Sequence, residues 1–244
     1  MKARLDQLLV RRGLAESREK AQRLILAGAV RVAGRVADKP GHLFPDAPDL
    51  EVAVAAAERF VSRGGLKLER AFEAFGLDVR GRVCLDAGAS TGGFTDCLLQ
   101  HGAARVYALD VGRGQLHWRL RQDPRVTVRE GLNVRYLRPG DLPEPVSVAT
   151  ADLSFISLTK ILPALIAVME TGDLVALIKP QFEAGPEQVG RGGVVRDPEV
   201  RRAVVERIRA FSASLDGLVW QDSCESPIKG PAGNVEYLAW WKRL

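Results

Sequence analysis

The sequence predicts an α/β protein with a mostly parallel sheet whose last strand is antiparallel, preceded by a small α+β domain. From residue 82 onward, short apolar runs alternate with helical patterns, which favours a parallel sheet covered on both faces. The last two apolar runs are joined by a short connection, which permits an antiparallel pair. The first 40 residues hold ten lysines and arginines against four acidic residues, although the net charge of the chain is only +5.

Two short helices are predicted at the amino terminus. Leucines spaced by three and four positions in residues 5–9 predict a first helix that ends near Gly13. Ser17 is a good N-cap for a second helix, and Gly28 is a good terminator for it.

A hairpin and a basic surface complete this segment. Residues 30–36 alternate apolar with basic side chains around a glycine-containing turn, so one face can pack on the helices while Arg31 and Arg35 face solvent. Clustered cations attract polyanions and release their counterions, as in nucleic-acid-binding proteins, although an ordinary solvated helix face is an alternative. The candidate nucleic-acid contacts are Arg4, Arg11, Arg12, Arg18, Lys20, Arg23, Arg31 and Arg35.

The next stretch has the composition of a linker. Prolines at positions 40, 45 and 48 and nearby acidic residues interrupt the periodicity. We therefore expect a first domain with its linker over residues 1–60 and a second domain over residues 61–244.

Cysteine usage and hydropathy exclude several classes of protein. The three cysteines form neither a CxxC pair nor a zinc-binding pattern, so no disulfide framework and no metal site are expected. The longest apolar run, residues 161–169, is too short to cross a bilayer and contains Pro163. The amino terminus lacks the apolar core of a signal peptide. A cytoplasmic protein without a membrane partner is expected.

The second domain is predicted to contain seven strands and a helix with a strong start signal. Asp197 provides an acidic N-cap for that helix, and Pro198 follows at its first position. The predicted strands cover residues 83–87, 105–109, 126–129, 146–151, 174–178, 218–222 and 235–241.

The strongest chemical signal follows the first of these strands. Residues 88–93 read Gly-Ala-Ser-Thr-Gly-Gly, a turn that allows close approach of backbone to a ligand. Asp110 ends the second strand, where a carboxylate can accept hydrogen bonds from both hydroxyls of a ribose.

The spacing of the turn and Asp110 alone also allows NAD as the ligand. The turn lacks the G-x-G-x-x-G pattern, however, and Asp86 suits a cationic ligand better than a pyrophosphate. A glycine-rich turn without a ligand is the other alternative.

Two resemblances follow from these motifs. Residues 3–50, with the run RLDQLLVRRGLAESREKAQRLILAGAVRVAG, closely resemble the S-four RNA-binding domain, which implies RNA binding through shape and phosphate contacts. Nearly the whole chain resembles the TlyA family of ribosomal RNA methyltransferases, long described as haemolysins. The motifs that carry this second resemblance are SRGGLKLERA (62–71), LDAGASTGGFTDCLL (85–99), ALDVGRGQL (108–116), DLSFISL (152–158), LIKPQFE (177–183), GGVVRDP (192–198) and SPIKGPAGNVEYL (226–238).

The family resemblance implies a fold, a cofactor and a reaction. The fold is a Rossmann-like methyltransferase sheet, the cofactor is S-adenosyl-L-methionine, and the reaction is methylation of a ribose 2'-hydroxyl, of cytidine, in ribosomal RNA or ribosomal subunits. Thr91 departs from the wider FtsJ-like enzymes, which often have proline there. The candidate cofactor contacts are Asp86, Gly88, Ser90, Gly92, Gly93, Phe94, Asp110 and Asn133.

The FtsJ-like resemblance also implies a catalytic tetrad of Lys67, Asp152, Lys179 and Glu236. Asp152 and Lys179 each follow an apolar strand, so both should emerge at the carboxyl edge of the sheet. Methyl transfer needs an aligned acceptor and a base, and burial beside a second cation can lower a lysine pKa from its ordinary value of about 10.4. We assign Lys179 as the base, the two carboxylates as orienting groups and Lys67 as a modulator of charge. Singly, each residue could instead be a solvated lysine, an exposed ion pair or a helix cap.

Several alternatives stay open at this point. The chain could be a non-catalytic RNA-binding factor in ribosome assembly, or a membrane-active haemolysin. The glycine-rich segment 185–193, which contains Arg191, could be a mobile lid or an RNA-contacting loop. A monomer is favoured, and the sequence does not select the target rRNA.

Overall fold

The computed structural model describes residues 2–26, 30–37, 39–47, 50–54, 59–230 and 232–244. The chain divides into two compact units, Met1–Arg59 and Phe60–Leu244. Of the residues singled out above, Gly28, Pro48 and the side chain of Arg23 lie outside the described part.

The first unit contains the two predicted helices and short antiparallel strands. A hydrophobic core of leucine, isoleucine, valine and alanine side chains joins the helices to the three-stranded sheet. β1 pairs with β4, and β2 lies between β3 and β5. The elements are β1 (Lys2–Arg4), α1 (Leu5–Arg11), α2 (Arg18–Leu26), β2 (Val30–Val32), β3 (Arg35–Val36), β4 (Leu43–Pro45) and β5 (Val52–Val54).

Two predictions for this unit were wrong in detail. The stretch interpreted as a linker contributes β4 and β5, and Pro45 is tolerated because β4 pairs on one side only, with β1. Val36 was expected on the packed face of the hairpin but is 51% exposed. The register pairs Val36 with the exposed Arg31, so both side chains lie on the solvent face. The Ser17 cap is confirmed by the bond from the backbone N of Lys20 to its hydroxyl.

A buried carboxylate connects the two helices of the first unit. Asp6 is fully buried and accepts hydrogen bonds from Arg4 at 3.0 Å, Arg18 at 3.0 Å and Gln22 at 2.9 Å. The hydrogen bond from Arg4, assisted by Gln22 and Arg18, holds the pKa of Asp6 well below its usual range despite burial. Arg4 and Arg18, two of the predicted RNA contacts, therefore also support the fold.

We predict that Asp6→Asn destabilises the first unit by about 2 kcal/mol, because three donors lose a charged acceptor. Since the folded-state pKa of Asp6 is depressed, its stabilisation is present above the unfolded pKa of about 3.9 and is lost as pH falls below it. Hydrogen exchange of the α1 amides in the full chain measures both effects. Asp46→Asn is the control, because the ion pair between Asp46 and Arg11 is exposed. Equal effects of the two substitutions would contradict the assignment.

The second unit carries a seven-stranded sheet with helices on both faces. Short 3₁₀ turns are present at Val134–Tyr136, Leu158–Lys160 and Pro186–Gln188. The main elements are α3 (Gly64–Phe75), β6 (Val83–Ala87), α4 (Gly93–Gln100), β7 (Arg105–Asp110), α5 (Trp118–Arg121), β8 (Val126–Glu130), β9 (Val146–Ala151), α6 (Leu162–Ala167), β10 (Met169–Ile178), α7 (Pro180–Glu183), α8 (Pro198–Ser212), β11 (Leu218–Glu225) and β12 (Tyr237–Arg243).

The sheet confirms the predicted class and the antiparallel last strand. Its order is β11-β12-β10-β9-β6-β7-β8, and β12 runs antiparallel to both of its neighbours. The Asp197 cap of α8 is also confirmed, because its carboxylate accepts from the backbone N of Glu199 at 2.8 Å. The strand order reverses between β6 and β9, and crevices form at such points beyond the carboxyl ends of parallel strands.

Four strands, β7, β8, β10 and β11, are longer than predicted, and β12 covers residues 237–243 rather than 235–241; β10 differs most. β10 begins at Met169 rather than at residue 174, because the acidic Asp173 is buried and paired. Burial alone would raise the pKa of Asp173, but hydrogen bonds from Lys242, Arg82 and Trp240 outweigh burial and lower it. From the sequence alone, the polar Asp173 is expected to end the strand. Its partners lie far away along the chain, so the sequence around it does not show that it is buried.

Each face of the sheet has its own core. Leu85 and Ala87 of β6 face the core covered by α6 and α8, whereas Cys84 faces the core covered by α3 and α4. This burial on both faces is typical of parallel sheets. Within the described part of the chain, no helix has the length and hydropathy needed to span a membrane.

Candidate active site

A cavity of about 400 Å³ lies at the carboxyl edge of this sheet. Asp152 follows β9, and Lys179 follows β10 and precedes Pro180, the first residue of α7. Lys67 lies in the first turn of α3, and Glu236 precedes β12. All four predicted tetrad residues line the cavity.

The four side chains form one connected ionic group. Lys67 Nζ lies 2.8 Å from Glu236 Oε2 and 3.3 Å from Asp152 Oδ2. Lys179 Nζ lies 2.6 Å from Asp152 Oδ1 and donates to Ser154 Oγ at 3.0 Å. Asp152 thus binds one lysine with each oxygen, which holds the two ammonium groups close together.

The two lysines have different surroundings. Burial alone would lower the pKa of Lys67, but the carboxylates of Asp152 and Glu236 outweigh burial and raise it. Lys67 therefore stays charged at neutral pH. Lys179 is 7% exposed and has one carboxylate partner and one hydroxyl partner. Of these two lysines, Lys179 is the better candidate for a group that accepts a proton.

The glycine turn also lines the cavity. Gly88 has a φ of 87°, and a Cβ there would lie 2.7 Å from the backbone oxygen of Asp152. A Cβ on Gly93 would lie 2.7 Å from the backbone N of Gly65 in α3. Close backbone packing therefore requires glycine at both positions. The turn residues that line the cavity are Gly88, Ala89, Ser90, Thr91, Gly93 and Phe94.

Asp110 supports this turn from the end of β7. Its carboxylate accepts hydrogen bonds from the backbone N of Ser90 and of Gly112, both at 2.7 Å. Asp110 does not line the cavity itself, but it fixes the backbone of Ser90, which does.

Three other predicted cofactor residues also lie outside the cavity lining. Asp86 is fully buried and accepts from Thr95 Oγ1 at 2.6 Å, which ties β6 to α4, and burial raises the pKa of Asp86 to about 7. Gly92 packs against the side chains of Leu116 and Leu120. Asn133 caps the 3₁₀ turn that follows it and lines a separate hollow with Tyr136. These residues shape the turn and its neighbourhood rather than the cavity wall.

The cavity also contains residues that sequence reasoning did not select. Ser154 contacts Lys179 and lies in the DLSFISL motif, so its polar side chain two positions after Asp152 was an available signal. The remaining unselected polar and apolar lining residues are Ser62, Arg63, Gly64, Ile228, Lys229 and Gly230.

An exposed aromatic residue lies beside the tetrad. Phe155 is 91% exposed and has a φ of 63°, a conformation rare for bulky residues. Its ring centroid is 5.0 Å from that of Phe182, and Lys179 Nζ lies 6.0 Å from the Phe182 ring. An apolar ring held in solvent at strained backbone geometry is a candidate contact for a substrate.

The predicted RNA contacts of the first unit have different environments. Arg12 donates to the backbone oxygens of Leu50 at 2.6 Å and Ala47 at 2.8 Å, so it holds a loop in place. Arg11 pairs with Asp46. The candidates that lie exposed on the surface without a described ion pair are Lys20, Arg31 and Arg35.

Comparison with known proteins agrees with this geometry. Residues 60–243 match the FtsJ-like methyltransferase model, and residues 3–44 match the S4 domain model. The fold of the second unit is thus that of an FtsJ-like methyltransferase.

Individual relatives define the family more narrowly. The 16S/23S rRNA (cytidine-2'-O)-methyltransferase TlyA of Mycobacterium tuberculosis is 50% identical over 98% of this chain and 89% of its own length. Hemolysin A of Brachyspira hyodysenteriae is 45% identical over 97% of this chain and 98% of its own. A solved structure from Streptococcus thermophilus, provisionally described as a hemolysin, has a TM-score of 0.76 at 46% identity and covers 99% of this chain and 88% of that one. The chain belongs to the TlyA family.

Proposed function

We propose that this protein methylates a ribose 2'-hydroxyl of cytidine in ribosomal RNA, with S-adenosyl-L-methionine as the methyl donor. The observation that carries the proposal is the ionic group of Lys67, Asp152, Lys179 and Glu236 beside the glycine turn. Such a group brings two lysines and two carboxylates around one acceptor position, where a lysine amine can remove the proton of a hydroxyl.

The cavity is compatible with a nucleoside-containing donor. Its volume of about 400 Å³ is in the range of small-molecule sites. Gly88 lets the turn pack closely against Asp152, and Gly88, Ser90 and Gly93 all line the cavity. Asp110 is held next to the turn, where a carboxylate can accept from ribose hydroxyls. We assign donor binding to this turn.

In the proposed reaction, the protein acts mainly by alignment and proton transfer. When bound, S-adenosyl-L-methionine supplies a methyl group on a positively charged sulfur. In its amine form, Lys179 would accept the proton of the 2'-hydroxyl as the hydroxyl oxygen takes the methyl group from sulfur. Asp152 orients Lys179 through its Oδ1 contact. Lys67, paired with Glu236, keeps a positive charge beside the acceptor.

The first unit is proposed to bind the RNA substrate. Its exposed cations Lys20, Arg31 and Arg35 supply sequence-independent attraction to phosphates. We assign residues 1–60 to this S4-type RNA-binding domain and residues 61–244 to the methyltransferase domain. An rRNA substrate implies a cytoplasmic location.

We predict that Phe155→Ala raises the KM for RNA about tenfold while the Kd for S-adenosyl-L-methionine stays unchanged. A ring that stacks on a nucleobase contributes about 1–3 kcal/mol, and alanine removes it. Steady-state kinetics and calorimetry measure the two constants. Tyr136→Ala is a control, because Tyr136 is also exposed, at 65%, but lines a separate hollow, whereas Phe155 contacts Phe182 beside Lys179. An unchanged KM in Phe155→Ala would exclude this contact.

Mapping of ribose methylation tests the reaction and its target together. Purified protein is incubated with the methyl donor and with ribosomal subunits or free rRNA, and modified nucleotides are located by mass spectrometry. We expect one or a few methylated cytidines that are absent when the protein is omitted. Stable binding to subunits without methyl incorporation would support a non-catalytic assembly factor instead. Release of dye from liposomes would support membrane activity.

A further inference from the structure

A second cluster of reactive side chains lies between α3 and α4. Glu69 belongs to α3, Cys97 belongs to α4, and His101 is the C-cap of α4. One carboxylate oxygen, the thiol sulfur and one imidazole nitrogen all lie within 4.8 Å of one another. None of these three residues lines the cavity described above. The tetrad therefore does not account for this cluster.

The distances between the potential ligand atoms suit a tetrahedral metal. His101 Nε2 lies 3.2 Å from Glu69 Oε2, and Cys97 Sγ lies 3.8 Å from the same oxygen. Zinc bonds of about 2.0–2.3 Å in tetrahedral geometry place neighbouring ligand atoms about 3.3–3.5 Å apart. Two of the three separations are therefore within a few tenths of an ångström of this geometry, and the third, between the thiol sulfur and the imidazole nitrogen, is at most 4.8 Å.

Local packing prepares this arrangement. Cys97 and His101 are four residues apart on the same helix face. The His101 ring stacks on Phe72 with centroids 3.9 Å apart and an interplanar angle of 1°, which fixes the plane of the imidazole. Cys97 is buried, whereas the side chains of His101 and Glu69 are 28% and 13% exposed, so an ion can enter from solvent.

We propose that Glu69, Cys97 and His101 bind one Zn²⁺, with the fourth position open to water. A thiolate, an imidazole and a carboxylate form a donor set that favours zinc over magnesium or calcium. The sequence pattern gave no expectation of a metal, because Glu69 is far from the other two ligands along the chain. Bound zinc would join α3, which carries Lys67, to α4, which begins at the glycine turn.

Cobalt substitution tests the site in the full-length protein. Chelator-treated, reduced protein is titrated with Co²⁺ and then with Zn²⁺, and the thiolate-to-cobalt absorption band is followed. We expect the band to saturate at one equivalent of Co²⁺ and to be abolished by Zn²⁺. His101→Gln and Cys97→Ser should each weaken binding at least tenfold. Cys224→Ser is the matched control, because Cys224 lies on β11 outside the cluster, and should bind as the unsubstituted protein does.

The outcomes separate the proposal from its alternatives. Absence of the band in the unsubstituted protein, an unchanged Co²⁺ affinity in His101→Gln, or loss of the band in Cys224→Ser would each overturn the site. His101→Gln decides the matter even if Cys97→Ser does not fold, because His101 is partly exposed at the end of its helix. The readout is metal binding, so the result does not depend on the proposed methyl transfer.

Discussion

Replacement of Lys179 by alanine is expected to lower kcat by about two to four orders of magnitude, because the variant has no base to accept the hydroxyl proton. Lys179 lies 2.6 Å from Asp152, 3.0 Å from Ser154 and at the cavity wall, so alanine removes the group without disturbing the sheet. Single-turnover methylation of rRNA measures the chemical step. Calorimetry should show that the affinity for S-adenosyl-L-methionine is retained.

Arginine variants distinguish a base from a fixed charge. Lys179→Arg keeps the positive charge but cannot lose its proton, so it should be as inactive as Lys179→Ala. Lys67→Arg should retain at least tenfold more activity than Lys179→Arg, because Lys67 acts through its charge. Lys160→Ala is the control, since Lys160 is an exposed lysine on a neighbouring turn. Normal turnover in Lys179→Ala would refute the base assignment.

Replacement of Gly88 by alanine is expected to weaken binding of S-adenosyl-L-methionine about 10- to 100-fold. The added Cβ would lie 2.7 Å from the Asp152 backbone oxygen and 2.9 Å from a methyl group of Leu153. Overpacking of this kind costs about 1–3 kcal/mol, and the turn must move away from Asp152 to relieve it. Equilibrium dialysis with labelled donor measures the affinity directly.

Gly140→Ala provides a matched control for backbone strain. Gly140 has a φ of 89°, nearly the same as the 87° of Gly88, but nothing lies within 4 Å of its added Cβ. Both variants therefore carry the cost of a left-handed alanine, and only Gly88→Ala carries the clash. Equal donor affinities in the two variants would show that the turn at Gly88 does not form the donor site.

Local patterns were sufficient for much of the fold. The strands at residues 83–87 and 146–151 agree with β6 and β9 to the residue. Asp197 caps α8 as its sequence context indicated. Strand runs, helix caps and turns depend on neighbours within a few positions, so their signals are present in the sequence itself. β10 was cut short because the partners of Asp173 are distant along the chain.

The sequence motifs predicted which residues belong to the region of the candidate site. They did not predict which of these side chains reach the cavity, because packing decides that. Asp86 belongs to the right motif, yet it is buried beneath the turn, bonded to Thr95. Asn133 follows the expected strand but caps a turn outside the cavity. Strand alternation decides which side of the sheet a residue faces, and loop geometry decides where a polar side chain finds its partner.

The sequence by itself determined the class of sheet, the antiparallel last strand and the family, and it named the four tetrad residues as candidates. The tertiary structure alone decided that Asp152 bridges both lysines and that Glu236 pairs with Lys67. It also decided that Glu69 meets Cys97 and His101. The physical reason is separation along the chain. The Lys67–Glu236 contact joins residues 169 positions apart. Such a contact forms only when α3 packs next to the carboxyl edge of the folded sheet.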